Sequence, residues 1–564
     1  MGRHSIVAAA LGLLALVGLA TRYEARASWL QARYFTRQAS QLTNEIGEGP
    51  SDRIRFPGDG PYDRRFGYAR LPAALQTAAA RGYRIAAQVR VSERFAELVD
   101  RGLSPIFPEK TQAGLRILDR RGATIFESRY PERIYPSVDS VPPAVWQTLL
   151  FLENRALLDP RFPNHNPSVD WPRMAKAAAD FALSWLGSRR SVPGASTLAT
   201  QLEKFRHSTE GRTRSTREKL LQMEAASLRS YLGGENTEAA RRRIVADYLN
   251  SVPLAAIAGH GEVTGLGDGL WAWYGADPDE VNRVLWEEAR GGTASDSGAV
   301  AQRAVAYRQV LSLMLAQRRP SYLLLQPEGR AELRERTDQH LRLVAREGII
   351  SAQLRDAALA VDLTPRSRAP DVPRVSFIER KGANAVRAEL LGLTGVSTLY
   401  ELDRFDLTAR TTLDLPVQEA VTHLLVQLTD RAFVRKQGLA SVGLLDRGDP
   451  ARHLRRRAAR AHGGRQPRPR PGGQLRFAVQ CDRGQQARAR LYGQAAHPDQ
   501  LPGDRGGALP PARGPASCES PCGAGRRRRR DHRLDPGVPG RQPGRLARAD
   551  PAGRDVAPLL GQPR

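Results

Sequence analysis

The chain changes character at residue 447, and that break limits what can fold. From Arg447 to Arg564 there is no lysine and no isoleucine, and glycine plus proline make up 34 of the 118 residues. A stretch so poor in branched apolar side chains cannot offset the entropy of ordering its backbone. The break also locates the charge. The tail holds 26 arginines against 9 acidic residues, so +17 of the net +27 lies there. The remaining +10 over residues 1–446 gives no reason to read the body as a nucleic-acid binder. GC-rich codons read out of register yield Arg, Gly, Pro and Ala. In the alternative register, His453–His462 permits an Ile-Tyr-Ala-Val-Val-Leu-His-Glu-Arg strand and Leu491–Ala495 permits Ser-Thr-Ala-Lys. Residues 447–564 are therefore expected to be a frameshifted, disordered tail with few contacts to the rest.

At 564 residues the chain has room for about three or four domains. All three cysteines (Cys481, Cys518, Cys522) lie in the tail, which excludes a disulfide framework or a cysteine zinc site from the body. Near the N-terminus, Ser5–Ala20 is an unbroken apolar run between Arg3 and Arg22. It reads as a single membrane anchor, slightly short for a ~30 Å hydrocarbon core, with residues 1–4 cytoplasmic and the body exported. A cleaved signal peptide, with Ala25-Arg26-Ala27 at the cleavage site, is the rival reading.

Residues 22–100 are polar and helix-rich, within a juxtamembrane region over 21–135 that includes a hairpin expected over Gly114–Arg129 around Arg121-Gly122. Helical periodicity then runs from about Pro142 to Arg290, includes Trp171–Leu186, and resumes over 298–361 within a helical linker, 291–405. Asp406–Leu415 alternates like a strand and opens a further unit, 406–446.

The strongest chemical signal is Gly194–Lys204, GASTLATQLEK. Small residues permit a tight turn, Ser196 and Thr197 offer hydroxyls and an N-cap, and Gln201 and Lys204 follow at helical spacing. A helix N-terminus with a lysine nearby suits an anion such as pyrophosphate. An ordinary capped helix is an equally good reading of this segment alone.

The segment resembles the Gly-Gly-Ser-Thr-x-x-Gln-Gln block of the peptidoglycan glycosyltransferases, the polymerase domain of class A penicillin-binding proteins. Further blocks follow in the family's order. TLLFLENRALLD places Glu153, Asn154 and Arg155 where the family has a Glu-Asp pair, and His165 and Asp170 match its next stretch. Arg212–Leu228 resembles the basic block that carries Arg214, Arg217 and Lys219, with Gln222 at the place of the second acid. RIVADYLNSVPLA (Arg243–Ala255) resembles Ile-x-Glu-x-Tyr-Leu-Asn, with Asp247, Tyr248 and Asn250. Gly265–Gly275 falls on a glycine-rich loop and does not fit a dinucleotide fingerprint. Thr411–Val421 resembles the entry to a transpeptidase domain, and no Ser-x-x-Lys follows in frame.

The resemblance implies a mainly α, lysozyme-like core over 136–290 behind a transmembrane helix, with a small β-containing linker. It implies an inner-membrane enzyme that polymerises lipid II outside the cytoplasm and releases undecaprenyl pyrophosphate. Glu153 would be the base, in keeping with the apolar Leu149–Leu152 run before it. Expected partners are lipid II, the growing glycan, the membrane and other cell-wall synthases, with no nucleic acid. No cofactor is required by the motifs, and a divalent cation (Mg or Mn) stays open because Gln222 and Asn154 thin the carboxylates. The same departures leave a non-catalytic lipid II-binding scaffold as the alternative.

Overall fold

The computed structural model describes residues 3–176, 196–289, 297–372, 380–439, 476–478 and 490–493, and most of them are helical. The first helix, α1 (Arg3–Ala27), ends where Ser28 adopts a left-handed φ of 53°, and α2 (Trp29–Ala39) continues from there. The junction is held by Ser28, whose Oγ accepts from Asn166 N at 3.0 Å. Along α1, Leu11, Leu13, Leu14, Leu16, Val17 and Leu19 are each more than half exposed, so no protein surface covers them. Among the described residues, no helix is long and apolar enough to cross a membrane. The side chains of residues 5–10, the first part of the expected anchor, lie outside that description.

Seven of the described strands form one mixed sheet. Its strands are β1 (Asn44–Glu48), β2 (Tyr83–Val91), β3 (Leu115–Leu118), β4 (Thr124–Glu127), β7 (Leu407–Arg410), β8 (Arg476–Ala478) and β9 (Arg490–Gly493), in the order β1-β2-β9-β8-β7-β3-β4. The expected hairpin is β3–β4, with a register shift beside the Arg121-Gly122 turn. The expected 406–415 strand is β7, and it runs parallel to β3 with Leu115 opposite Leu407 and Ile117 opposite Ala409. Those four side chains are buried with Leu390 and Leu393, so segments about 290 residues apart share one core.

The expectation of a tail without ordered structure is corrected at two places. The strands β8 and β9 pair with each other and fill the gap between β2 and β7. An open sheet edge offers backbone N–H and C=O groups to any extended segment, so composition alone does not exclude pairing. These strands carry the only aromatic residues of the tail, Phe477 and Tyr492.

After the short helices α3 (Pro61–Arg65), α4 (Leu71–Ala80) and α5 (Glu93–Asp100), the helical body comprises α6 (Pro143–Glu153), α7 (Leu198–His207), α8 (Thr216–Ser230), α9 (Glu238–Ser251), α10 (Pro278–Ala289), α11 (Ser297–Ala316), α12 (Pro320–Leu325), α13 (Pro327–Arg346) and α14 (Ala352–Leu359). Two expectations change here. A hairpin, β5 (Pro253–Ile257) and β6 (Gly261–Thr264), interrupts the helical run. The glycine-rich stretch after it is helical, with Leu266–Gly269 passing into a π turn at Leu270–Tyr274. Burial decides this: Trp273 is fully buried and its Nε1 donates to Leu254 O at 2.9 Å. The glycines serve close packing, since a Cβ on Gly267 would come within 2.4 Å of Arg133 O.

Candidate active site

Glu153 is the last residue of α6, because Asn154 leaves helical geometry at φ −159°, ψ 88°. The helix is fixed by its buried face, where Thr148 Oγ1 meets the Tyr307 hydroxyl of α11 at 2.6 Å. Facing Glu153 is α7, started by a capping box in which Thr200 N donates to Thr197 Oγ1 at 3.3 Å and Thr197 N donates to Thr200 Oγ1 at 2.9 Å. The hydroxyl of Thr197 is thus used by the helix itself.

One turn into α7, Gln201 Nε2 donates to Glu153 Oε2 at 3.2 Å. From just beyond α11, Gln317 Nε2 donates to Oε1 at 3.3 Å. The hydroxyl of Tyr248, on α9, lies 2.9 Å from Gln201 Oε1 and 2.5 Å from Gln317 Oε1. Four groups therefore form a ring: carboxylate, amide, phenol, amide. Arg318 Nη2 stands 3.5 Å from Glu153 Oε1, and Arg173 Nη2 donates to the Glu153 carbonyl at 2.9 Å. Burial lowers the pKa of Lys204, and the Glu153 charge works in the opposite direction. Burial, reinforced by the same charge, holds the Tyr248 phenol well above its ordinary value, so it stays protonated. The setting of Glu153 is polar and cationic where the apolar run before it suggested an apolar one.

Gln201 and Lys204 share a face of α7, and Ser208 is the residue that caps its C-terminus. Gln222 reaches the far end of that face, donating to Ser208 Oγ at 2.6 Å and accepting from Thr213 Oγ1 at 3.1 Å. Seven residues of helix put it about 10 Å from the Gln201 end.

Other expected site residues are engaged elsewhere. Asn154 is buried at the α6 terminus, and Ser196 is half-buried just before α7. Arg155 pairs with Glu347 at 3.5 Å and stacks on Phe151. Arg214 pairs with Glu210 at 3.2 Å, and Arg217 donates to Arg101 O at 2.6 Å. Lys219 is half-buried on α8. Asp247 accepts from Thr111 Oγ1 at 2.8 Å and lies 3.4 Å from Arg206. Asn250 clamps both backbone groups of Tyr135 at 2.8 Å, a structural role. His165 is also structural, with Nδ1 3.0 Å from Arg26 O.

Gln317, Arg318 and Arg173 were missed. Gln317 and Arg318 fall outside the family's blocks, 164 and 165 residues from Glu153, and no local pattern marks their approach.

Among the described residues, no group of three His, Cys, Asp or Glu side chains could hold a metal ion. The groups around Glu153 are amide N–H, guanidinium and ammonium donors, which suit an anion and repel a cation. A divalent cation does not fit them.

The site is thus a carboxylate held by two amides, with a guanidinium beside it. Residues 121–339 match the Transglycosylase family model, so the chain carries a peptidoglycan glycosyltransferase domain and is a glycosyltransferase. No curated protein matches the chain.

Proposed function

We propose that the chain polymerises lipid II into glycan strands, with Glu153 as the base that takes the proton of the attacking sugar hydroxyl. The observation that carries this reading is the Glu153 carboxylate caged by Gln201 and Gln317 beside Lys204 and Arg318. The hydroxyl oxygen attacks the anomeric carbon of the lipid-linked chain, inverting it, and undecaprenyl pyrophosphate departs. Lys204 and Arg318 supply charge for that anion.

The ring suits the proton transfer. Tyr248 has one proton and faces two amide oxygens. While both amides turn their NH2 groups to an ionised Glu153, one of those oxygens lacks a donor. After Glu153 takes up the proton, one amide turns over and every donor in the ring is used. Tyr248→Phe removes a hydrogen bond worth roughly 1 kcal/mol, so kcat should fall about fivefold with KM little changed. An unaltered kcat would separate the ring from the chemistry.

The exposed apolar α1 supports an anchor in the inner membrane with the catalytic body outside. The reading of a chain without transpeptidase activity rests on the absence of a Ser-x-x-Lys from residues 406–564. The test is a polymerisation assay with purified full-length chain and lipid II in detergent. Glycan strands are expected. Binding without polymerisation would favour the scaffold reading, to which the neutral Gln222, bonded to Ser208 and Thr213, points.

A further inference from the structure

We infer that the cleft between Arg65, Arg70 and Arg404 is a binding site for a dianionic oxyanion group, a phosphate monoester or a pair of carboxylates. The cleft, about 350 Å³, is separate in its lining from the Glu153 site. Three segments meet there: Pro61–Arg70, Glu262 of β6, and the stretch from Val396 to Phe405. Its charged lining is Arg64, Arg65, Arg70 and Arg404 against Glu262 and Glu401, a surplus of two positive charges. Asp59 reaches Arg64 at 3.4 Å, and a positive surplus remains even when it is counted.

The arginines are held in place. The Arg404 guanidinium is layered between Tyr130 at 3.9 Å and Tyr400 at 3.7 Å, with its side chain 9% exposed. Both flat faces are covered, which leaves the N–H edges, where Nη2 donates to Glu262 O at 3.4 Å, as the part able to hold an oxyanion in plane. Tyr400 can lie there because Gly261, at φ +90°, has no side chain; a Cβ would fall 2.3 Å from the Tyr400 hydroxyl. Arg65 sits over Tyr130 at 5.4 Å, and among the described residues its buried Nε has no hydrogen-bond partner. A buried guanidinium N–H without a hydrogen bond is costly unless something else fills the place.

At present Glu262 fills it poorly. Its carboxylate lies 3.9 Å from Arg65 Nε and 3.4 Å from Arg404 Nη1, and its side chain is 59% exposed. Both contacts are long for charge-assisted bonds. Glu262 therefore acts as an internal stand-in that an incoming oxyanion displaces toward solvent.

The test is calorimetric titration of the full chain with phenyl phosphate in one arm and succinate in the other, which separates the two sources of the charge. At least one should bind at a single site. Arg65→Ala and Arg70→Ala, the latter at an exposed position that cannot unfold the chain, should each weaken binding by tenfold or more. Glu262→Gln, which removes the stand-in, should tighten it about threefold or more. Arg283→Ala, an exposed arginine on α10, is the control and should change nothing. The inference is overturned if neither probe binds, if Arg283→Ala weakens binding as much as Arg65→Ala, or if Glu262→Gln fails to tighten it. None of these readouts depends on polymerisation, so the outcome is independent of the role given to Glu153.

Discussion

Glu153→Gln is expected to lower the rate of polymerisation by roughly two to four orders of magnitude, the contribution of a positioned general base. Lipid II binding should survive, because Lys204, Arg318 and the α7 face are untouched. The fold should survive as well, for a reason visible in the ring. A glutamine at 153 offers one oxygen and one NH2 group where the carboxylate offers two acceptors. Gln201 can still donate to the new oxygen, and Gln317 can turn to accept from the new NH2 while donating to Tyr248. Tyr248 then gives its one proton to Gln201, and no polar atom of the ring is left unpaired. Loss of turnover with an unchanged melting temperature is thus the specific expectation. A variant that kept more than a tenth of wild-type turnover would take the role of base away from Glu153.

The sequence made part of this site legible, and the boundary has a physical cause. Glu153, Gln201, Lys204 and Tyr248 stand in blocks whose residue types and spacing are tied to the reaction, so they could be read one by one. Gln317 and Arg318 follow an apolar helix with no distinguishing pattern, and only the packing of α11 on α6 brings them to the carboxylate. Thr197 shows the reverse case, since the same hydroxyl suits a ligand or a helix cap, and the capping box resolves it. In the fold, β3, β4 and β7 were legible from alternation, whereas their shared sheet was not, because strand pairing across about 290 residues leaves no local trace. The tail strands β8 and β9 were missed because backbone pairing asks little of side-chain composition.

Removing Glu109 should destabilise the chain by about 3–5 kcal/mol, the cost of stranding buried charges without their partner. This carboxylate, nearly inaccessible, joins the segment before the sheet hairpin to α7 and α8. It accepts from Arg206 through a short contact, from Arg229 Nη1 at 2.8 Å and from His207 Nε2 at 2.6 Å. Around it, Asp63 Oδ2 lies 2.9 Å from His207 Nδ1 and Glu203 Oε1 lies 2.6 Å from Arg229 Nε. Glu109→Ala would leave Arg206, Arg229 and His207 facing one another with one carboxylate fewer. At two to four degrees per kcal/mol for a unit of this size, the melting temperature should drop by on the order of 10 °C. The same network gives a pH signature. Burial alone would lower the His207 pKa, but Asp63 and Glu109 overcome it and raise the value to about 10. In the unfolded chain the imidazole returns to about 6.5. The folded state then holds a proton that the unfolded state has lost, so this contribution is complete below about pH 6.5. It falls as pH rises toward 10 and is gone above that. Chemical denaturation at intervals from pH 6 to 10.5 should show wild-type stability declining across this window. His207→Gln, which keeps the ring's hydrogen-bonding reach without a titrating group, should flatten that decline. A decline of equal slope in His207→Gln would show that His207 is not the titrating group. A Glu109→Ala chain as stable as wild type would show that the network does not hold the two segments together.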